Sequence, residues 1–184
     1  RSSDLNNPTG YSMSVSEWQA AVDVLKAAVE GKDKNVILVP DVAYLDYSGE
    51  KEECRKFFKV FGNLPKNILV IVAYTLSKGF TLYGQRQGAM IAVTSDKDVA
   101  KEFVDVNQYA SRATWSNCNS AAQNVMIDIC SDPEEICRLD RERDVYYKLI
   151  QERAAVFVKE AKEAGVKIVP YISGFFIKIG RASC

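Results

Sequence analysis

Not one histidine occurs among the 184 residues. That absence removes every Ser-His and Cys-His nucleophile pair, so acid–base work falls to Lys, Tyr, Asp or Glu. The five cysteines, Cys54, Cys118, Cys130, Cys137 and Cys184, are scattered, with no pair at CxxC spacing. Without histidine to complete a tetrahedral set they offer no zinc site. They read as free thiols of a reducing compartment, and a cytoplasmic location is the expectation. Charge excess is missing too: Lys+Arg and Asp+Glu stand at 24 each. Such a balance carries no electrostatic footprint for nucleic acid or for an anionic membrane. No apolar run approaches the roughly 20 residues needed to span a bilayer. The opening stretch, Arg1 to Gly10, is polar and reads as no signal peptide. No GxGxxG follows a strand pattern, and Gly84 to Gly88 is only GxxxG, which argues against a Rossmann-type nucleotide binder. Internal repeats and low-complexity segments are also lacking.

What is present is an ordinary globular composition, 47% hydrophobic and 26% charged, in a length that suits one domain or one and a half. Asn6-Asn7-Pro8-Thr9-Gly10 is a turn cluster. Ser14-Val15-Ser16-Glu17 fits a capping box, and Val15, Trp18, Val22, Leu25 and Val29 follow at helical spacing until Gly31. Asn35 to Pro40 is a continuous apolar run, the pattern of a strand covered on both faces. A short helix is expected over Glu50 to Phe61, packing through Phe57, Phe58 and Phe61. Ile68 to Tyr74 and Ala89 to Thr94 read as buried strands. Ser95-Asp96 starts a helix with Val99, Phe103 and Val106 on one face. The pattern breaks around Ser111 to Asn119 and resumes from about Ser120 to Cys130. Asp132-Pro133 is an N-cap followed by proline at the first helical position. The helix it opens extends to Ala164, a length of about 45–50 Å. Such a helix exceeds one small domain and is expected to bridge two. Val166 to Ile172 and Gly174 to Ile179 read as two strands joined at Ser173-Gly174. The alternation of helices with apolar strands argues for an α/β fold with a largely parallel sheet.

The chain is organised around Thr75-Leu76-Ser77-Lys78-Gly79-Phe80-Thr81-Leu82-Tyr83-Gly84-Gln85-Arg86-Gln87-Gly88, the connection between two of those strands. Connections at strand ends are where sheets present chemistry. Lysine and arginine in a loop are ordinarily solvated surface charges. A partly desolvated lysine amine, however, can form a Schiff base, and an arginine fork suits a phosphate. Upstream, Asp41 and Tyr44 stand just past the NVILVP run, at the carboxyl end of a predicted strand.

Three motifs, Asn7-Pro8-Thr9-Gly10, Asp41-Val42-Ala43-Tyr44, and Thr75-Leu76-Ser77-Lys78 with Arg86 and Gly88, stand in the order found in one family. The chain resembles the fold-type I pyridoxal-phosphate enzymes of the class I and II aminotransferase group, aspartate and aromatic aminotransferases among them. The resemblance implies pyridoxal 5'-phosphate as cofactor and amino-group transfer between an amino acid and a 2-oxo acid through a Schiff base on Lys78. It gives Asp41 the ring nitrogen, and it gives Asn7 and Tyr44 hydrogen bonds to the ring's phenolic oxygen. Thr75, Ser77 and Arg86 fall to the phosphate. Lys78, Asp41 and Tyr44 are thus the expected catalytic residues. The glycines would permit close backbone approach. Arg112 to Asn117 resembles a segment near the family's subunit interface, and a homodimer is implied.

By the same resemblance, 1–132 is part of the cofactor-binding large domain, 133–165 an interdomain helix, and 166–184 the beginning of the small domain, at Gly174-Phe175-Phe176. The resemblance covers nearly the whole chain but only the middle of the family's length. A fragment is therefore the expectation, poorly stable and weakly active alone. The family's phosphate-capping glycine loop and ring-stacking aromatic fall outside it. So does the arginine for the substrate α-carboxylate, and the surroundings of Arg181 do not match that motif. Two other readings stay open: a non-catalytic cofactor-binding or scaffolding fragment, and a lyase or synthase of the same fold type.

Overall fold

The computed structural model describes the backbone of Ser2 and Ser3 and all of residues 9–180. Asn7 and Arg181 lie outside the described residues. The sheet is centred on β4, Ile68–Thr75. On one side it pairs in parallel with β2 (Val36–Leu38) and then with β3 (Pro40–Asp41), two pieces of one strand, and β1 (Ser2–Ser3) pairs in parallel with β3 beyond. On its other side β5, Gly88–Val93, runs antiparallel, with Thr75 opposite Gly88 and Val70 opposite Val93. The sheet is thus mostly parallel with one antiparallel strand, in an α/β fold as the sequence pattern predicts.

The core lies on one face. Ile68, Val70 and Val72 alternate inward along β4 and are almost completely buried. Against them pack Trp18, Val22 and Val29 of α1 (Val15–Val29) and Phe57 and Phe61 of a 3₁₀ helix, Glu53–Phe61. Trp18 is the keystone: it stacks on Phe57 at 5.3 Å and meets Phe61 edge-on at 5.5 Å. The predicted capping box is present, with Ser14 Oγ accepting from Glu17 N at 3.2 Å and Glu17 Oε2 accepting from Ser14 N at 2.7 Å.

Several expectations are corrected. The apolar run at 36–38 is not covered on both faces: Ile37 is 61% exposed. β5 is more open still, with Met90 and Ile91 over half exposed. A continuous apolar run reports hydrophobicity, not which neighbour supplies the cover. The phenylalanine-bearing helix is 3₁₀ in its hydrogen bonding, and it starts at Glu53. The break expected from Ser111 begins only after Thr114, at the end of α3 (Lys97–Thr114). The two strands expected beyond 165 reduce to one antiparallel bridge, Ile168 with Ile179.

The predicted helix starts hold. Asp96 caps α3, Asn119 caps α4 (Ser120–Ser131), and Asp132 caps the 31-residue α5 (Pro133–Glu163). After α5 the chain turns back at Gly165 and reaches the turn at Thr9-Gly10. Gly10 takes φ +71°, and its carbonyl accepts from Ile172 N at 2.9 Å and Ser173 N at 3.2 Å. The segment after α5 therefore packs beside the residues that follow the first strand.

Candidate active site

Two parallel neighbours end within two residues of each other, and the candidate residues follow both ends. β3 stops at Asp41, which pairs with Ala73 of β4. Asp41 Oδ1 accepts from Ala43 N at 3.2 Å, and Val42 N donates to Ala73 O at 3.0 Å. These bonds turn the chain into a single 3₁₀ turn, Leu45–Tyr47, with Tyr44 buried at its start. Phe175 and Phe176 pack edge-on against the Tyr44 ring at 5.6 and 5.8 Å, so the segment after α5 forms one wall.

β4 runs two residues further, to Thr75, and hands over to a one-turn helix, α2 (Leu76–Gly79). Thr75 is its cap: Oγ1 accepts from Ser77 N at 3.2 Å and lies 3.0 Å from the Ser77 hydroxyl, which is itself buried. Leu76 N donates to Gln87 O at 3.1 Å, which pins the turn to the start of β5. Gly88 is required there, because a Cβ would stand 2.5 Å from Tyr74 O.

Lys78 projects from α2 toward two phenol rings. Its Nζ lies 4.0 Å from the Tyr83 ring centroid and 5.2 Å from that of Tyr44. Burial pulls its pKa down, but hydrogen bonding to the Tyr83 hydroxyl and the phenols of Tyr44 and Tyr83 outweigh it, and the net direction is upward. At neutral pH the amine is an ammonium. Desolvation alone does not activate this lysine; Tyr44 and Tyr83 hold its proton in place.

Arg86 closes the loop in a left-handed conformation, φ 53° and ψ 38°, with its guanidinium donating to Tyr83 O at 3.2 Å. Its side chain is exposed. The structure therefore brings Tyr44, Thr75, Ser77 and Lys78 together, with Asp41 at the end of the adjoining strand. Arg86 stands on the same loop and engages its own backbone.

Sequence reasoning missed Tyr83, whose ring gives Lys78 its nearest aromatic contact. It also missed a buried charge cluster beneath α2. The Asp46 carboxylate, 5% exposed, accepts from Arg55 Nη2 at 2.6 Å and from the Tyr74 hydroxyl at 3.2 Å. Arg143 of α5 reaches the same carboxylate at 3.7 Å. Spacing could not reveal this set, because its members come from four elements far apart in the chain.

With this geometry in view, comparison with known proteins is informative. The family model for class I and II aminotransferases matches residues 4–181. Among curated proteins, the aspartate aminotransferase of Pseudomonas aeruginosa is 27% identical over 158 residues, covering 82% of this chain and 38% of its own. Among solved structures, an aminotransferase from Anaerococcus prevotii superposes with a TM-score of 0.90 at 41% identity, over 94% of this chain and 42% of that one. A mitochondrial aspartate aminotransferase from Trypanosoma brucei gives 0.73 at 27% identity, over 88% and 40%. An aromatic-amino-acid aminotransferase from Burkholderia pseudomallei, covalently bound to pyridoxal phosphate, shares the fold with a TM-score of 0.76 at 24% identity, over 90% and 40%. The chain thus spans about two fifths of the length of these relatives.

Proposed function

From the premise that this chain belongs to the class I and II aminotransferases, we propose that it carries the cofactor-binding and proton-handling part of an enzyme that moves an amino group from an amino acid to a 2-oxo acid. The single observation behind this reading is the convergence of an amine, a phenol and a carboxylate, Lys78, Tyr44 and Asp41, at the ends of two paired parallel strands. The donor set fits pyridoxal phosphate. Asp41 would hold a proton on the ring nitrogen, and Tyr44 would donate to the phenolic oxygen, with Asn7 as the second donor. The hydroxyls of Thr75 and Ser77 would hold the phosphate. Arg86 would join them by exchanging its bond to Tyr83 O for a charge-assisted one. The bound cofactor supplies an aldehyde for amine exchange and an electron sink for the carbon that loses its proton.

The remaining chemistry belongs to the chain. Lys78 would supply the amine for that aldehyde and would serve as the base at the substrate Cα. Its raised pKa sets the condition: the ammonium must first give up a proton to solvent before the amine can act. Phe175 and Phe176 pack on the Tyr44 ring and help to bury it.

The setting follows from the same reading. α5 is the bridge between the large domain, 1–132, and a small domain that begins at 166. The apolar and aromatic side chains exposed on and just after α3, Val104, Tyr109 and Trp115, suit a subunit interface of a homodimer. The reduced thiols of Cys118, Cys130 and Cys137 suit a cytoplasmic enzyme.

The test is a titration of the chain with pyridoxal phosphate, followed by borohydride reduction and peptide mapping. The expected result is an absorbance band near that of an imine and a reduced adduct on Lys78, lost in Lys78→Ala. An adduct spread over surface lysines, unchanged by that substitution, would refute the reading.

A further inference from the structure

The lysine turn is held from below by a cluster that has no part in the chemistry above. Gly79 ends α2, and its carbonyl accepts from Arg143 Nε at 2.8 Å. The Arg143 side chain is 12% exposed, and its guanidinium lies over the Phe80 ring at 4.8 Å. Its Nη1 meets Asp140 at 3.3 Å, and its Nη2 faces Asp46 at 3.7 Å. Asp46 in turn fills the space beside Gly79: a Cβ there would lie 1.9 Å from Asp46 Oδ2. That carboxylate has no freedom to move aside, since Arg55 and the Tyr74 hydroxyl also hold it. Lys78 is thus flanked by a peptide clamped between a guanidinium on one side and a carboxylate on the other.

We propose that Arg143, acting with Asp46, is a positioning residue for Lys78: it fixes α2 so that the lysine amine stays at the Tyr44 and Tyr83 rings. The inference rests on the role given to Lys78 above and deepens it. A one-turn helix has too few internal hydrogen bonds to hold its own geometry. Of its last carbonyls, that of Gly79 is taken by a charged donor from a helix whose numbering lies 64 positions away. Lysine has a long flexible stem, so its amine is only as well placed as the peptide that carries it. The clamp also ties the first third of α5 to the site. A tilt of that helix would move the lysine turn with it.

The test uses the 184-residue chain with Arg143→Met and Arg143→Lys, and needs no cofactor. Two quantities are read: amide hydrogen exchange in peptides covering 76–82 and 68–74, and the titration of Lys78 followed by NMR of ¹³C-labelled lysine. In Arg143→Met, exchange over 76–82 should quicken by about tenfold, the loss expected of one charge-assisted hydrogen bond, with 68–74 unchanged. The Lys78 titration should also fall back toward the ordinary lysine value as its amine leaves the phenols. Arg143→Lys keeps one donor and should stay within about threefold of the parent chain. Unchanged exchange over 76–82 would overturn the proposal. So would quickened exchange with an unmoved Lys78 titration, since Arg143 would then be structural only. If Arg143→Met also loosens β4, Arg143→Gln, which keeps a polar side chain and leaves the Asp46 contacts with Arg55 and Tyr74 in place, decides on the same two readings. Failure to find a cofactor adduct on Lys78 would sink the functional reading alone, because neither quantity here depends on it.

Discussion

The phenol of Tyr74 donates to Asp46 Oδ2 at 3.2 Å from inside the molecule. Burial, reinforced by the Asp46 carboxylate, drives its pKa well above the ordinary 10.0, and Arg143 and Arg55 offset only part of that rise. The sign of the consequence follows from proton counts. Below pH 10 the phenol is protonated in both folded and unfolded chains. Above it, the unfolded chain gives up a proton that the folded one keeps, so stability falls as pH rises. Tyr47, Tyr147 and Tyr171 are shifted the same way, each chiefly by burial. Urea unfolding compared at about pH 9 and about pH 11 should show a loss reduced in Tyr74→Phe by up to about 1.4 kcal/mol per pH unit. An equal loss in both proteins would contradict it. At this scale the sequence was legible where chemistry is local: Thr75 before Lys78 predicts a hydroxyl beside the lysine turn, and it caps that turn. Tyr83 and Arg143 were not legible, because a ring or a fork has no identifiable partner until the chain is folded.

Elements show the same division. Helix starts are written in short stretches, so Ser14 and Asp132 could be assigned from their neighbours and are observed as caps. Asp132 accepts from Glu134 N at 2.8 Å and Glu135 N at 3.4 Å, with Pro133 at the first helical position. Asp132→Ala should therefore cost about 1 kcal/mol, measured by urea unfolding. A change below a few tenths would mean that the first turn of α5 is held by packing instead. The length of α5 was also legible, since its apolar spacing persists from Pro133 to a glycine at 165. Exposure was not. Ile37 and Ile91 belong to apolar runs that look buried, yet both are more than half exposed. The 3₁₀ character of Glu53–Phe61 escaped as well, because the spacing of Phe57 and Phe61 suits an α-helical face.

At the scale of the whole molecule, Gly10 joins the two ends of the described chain. With φ +71°, a side chain there is strained, and its Cβ would meet Phe176 O at 2.4 Å and Tyr171 Cδ2 at 2.6 Å. Gly10→Ala should push the 171–176 segment off Tyr44 and lower stability by about 2 kcal/mol. Limited proteolysis should then cut between 165 and 176 faster than in the parent chain, and equal rates would show that the contact is dispensable. The alternation of helical and apolar strand patterns sufficed for the α/β class, and three ordered motifs for the family resemblance, because each depends on residue type and near neighbours. Which face of the sheet is covered, which phenols meet the Lys78 amine and which arginine holds its turn were decided only by folding. Those facts are contacts between segments distant in sequence, and the free energy that selects them comes from burial and charge pairing that exist in the packed molecule alone.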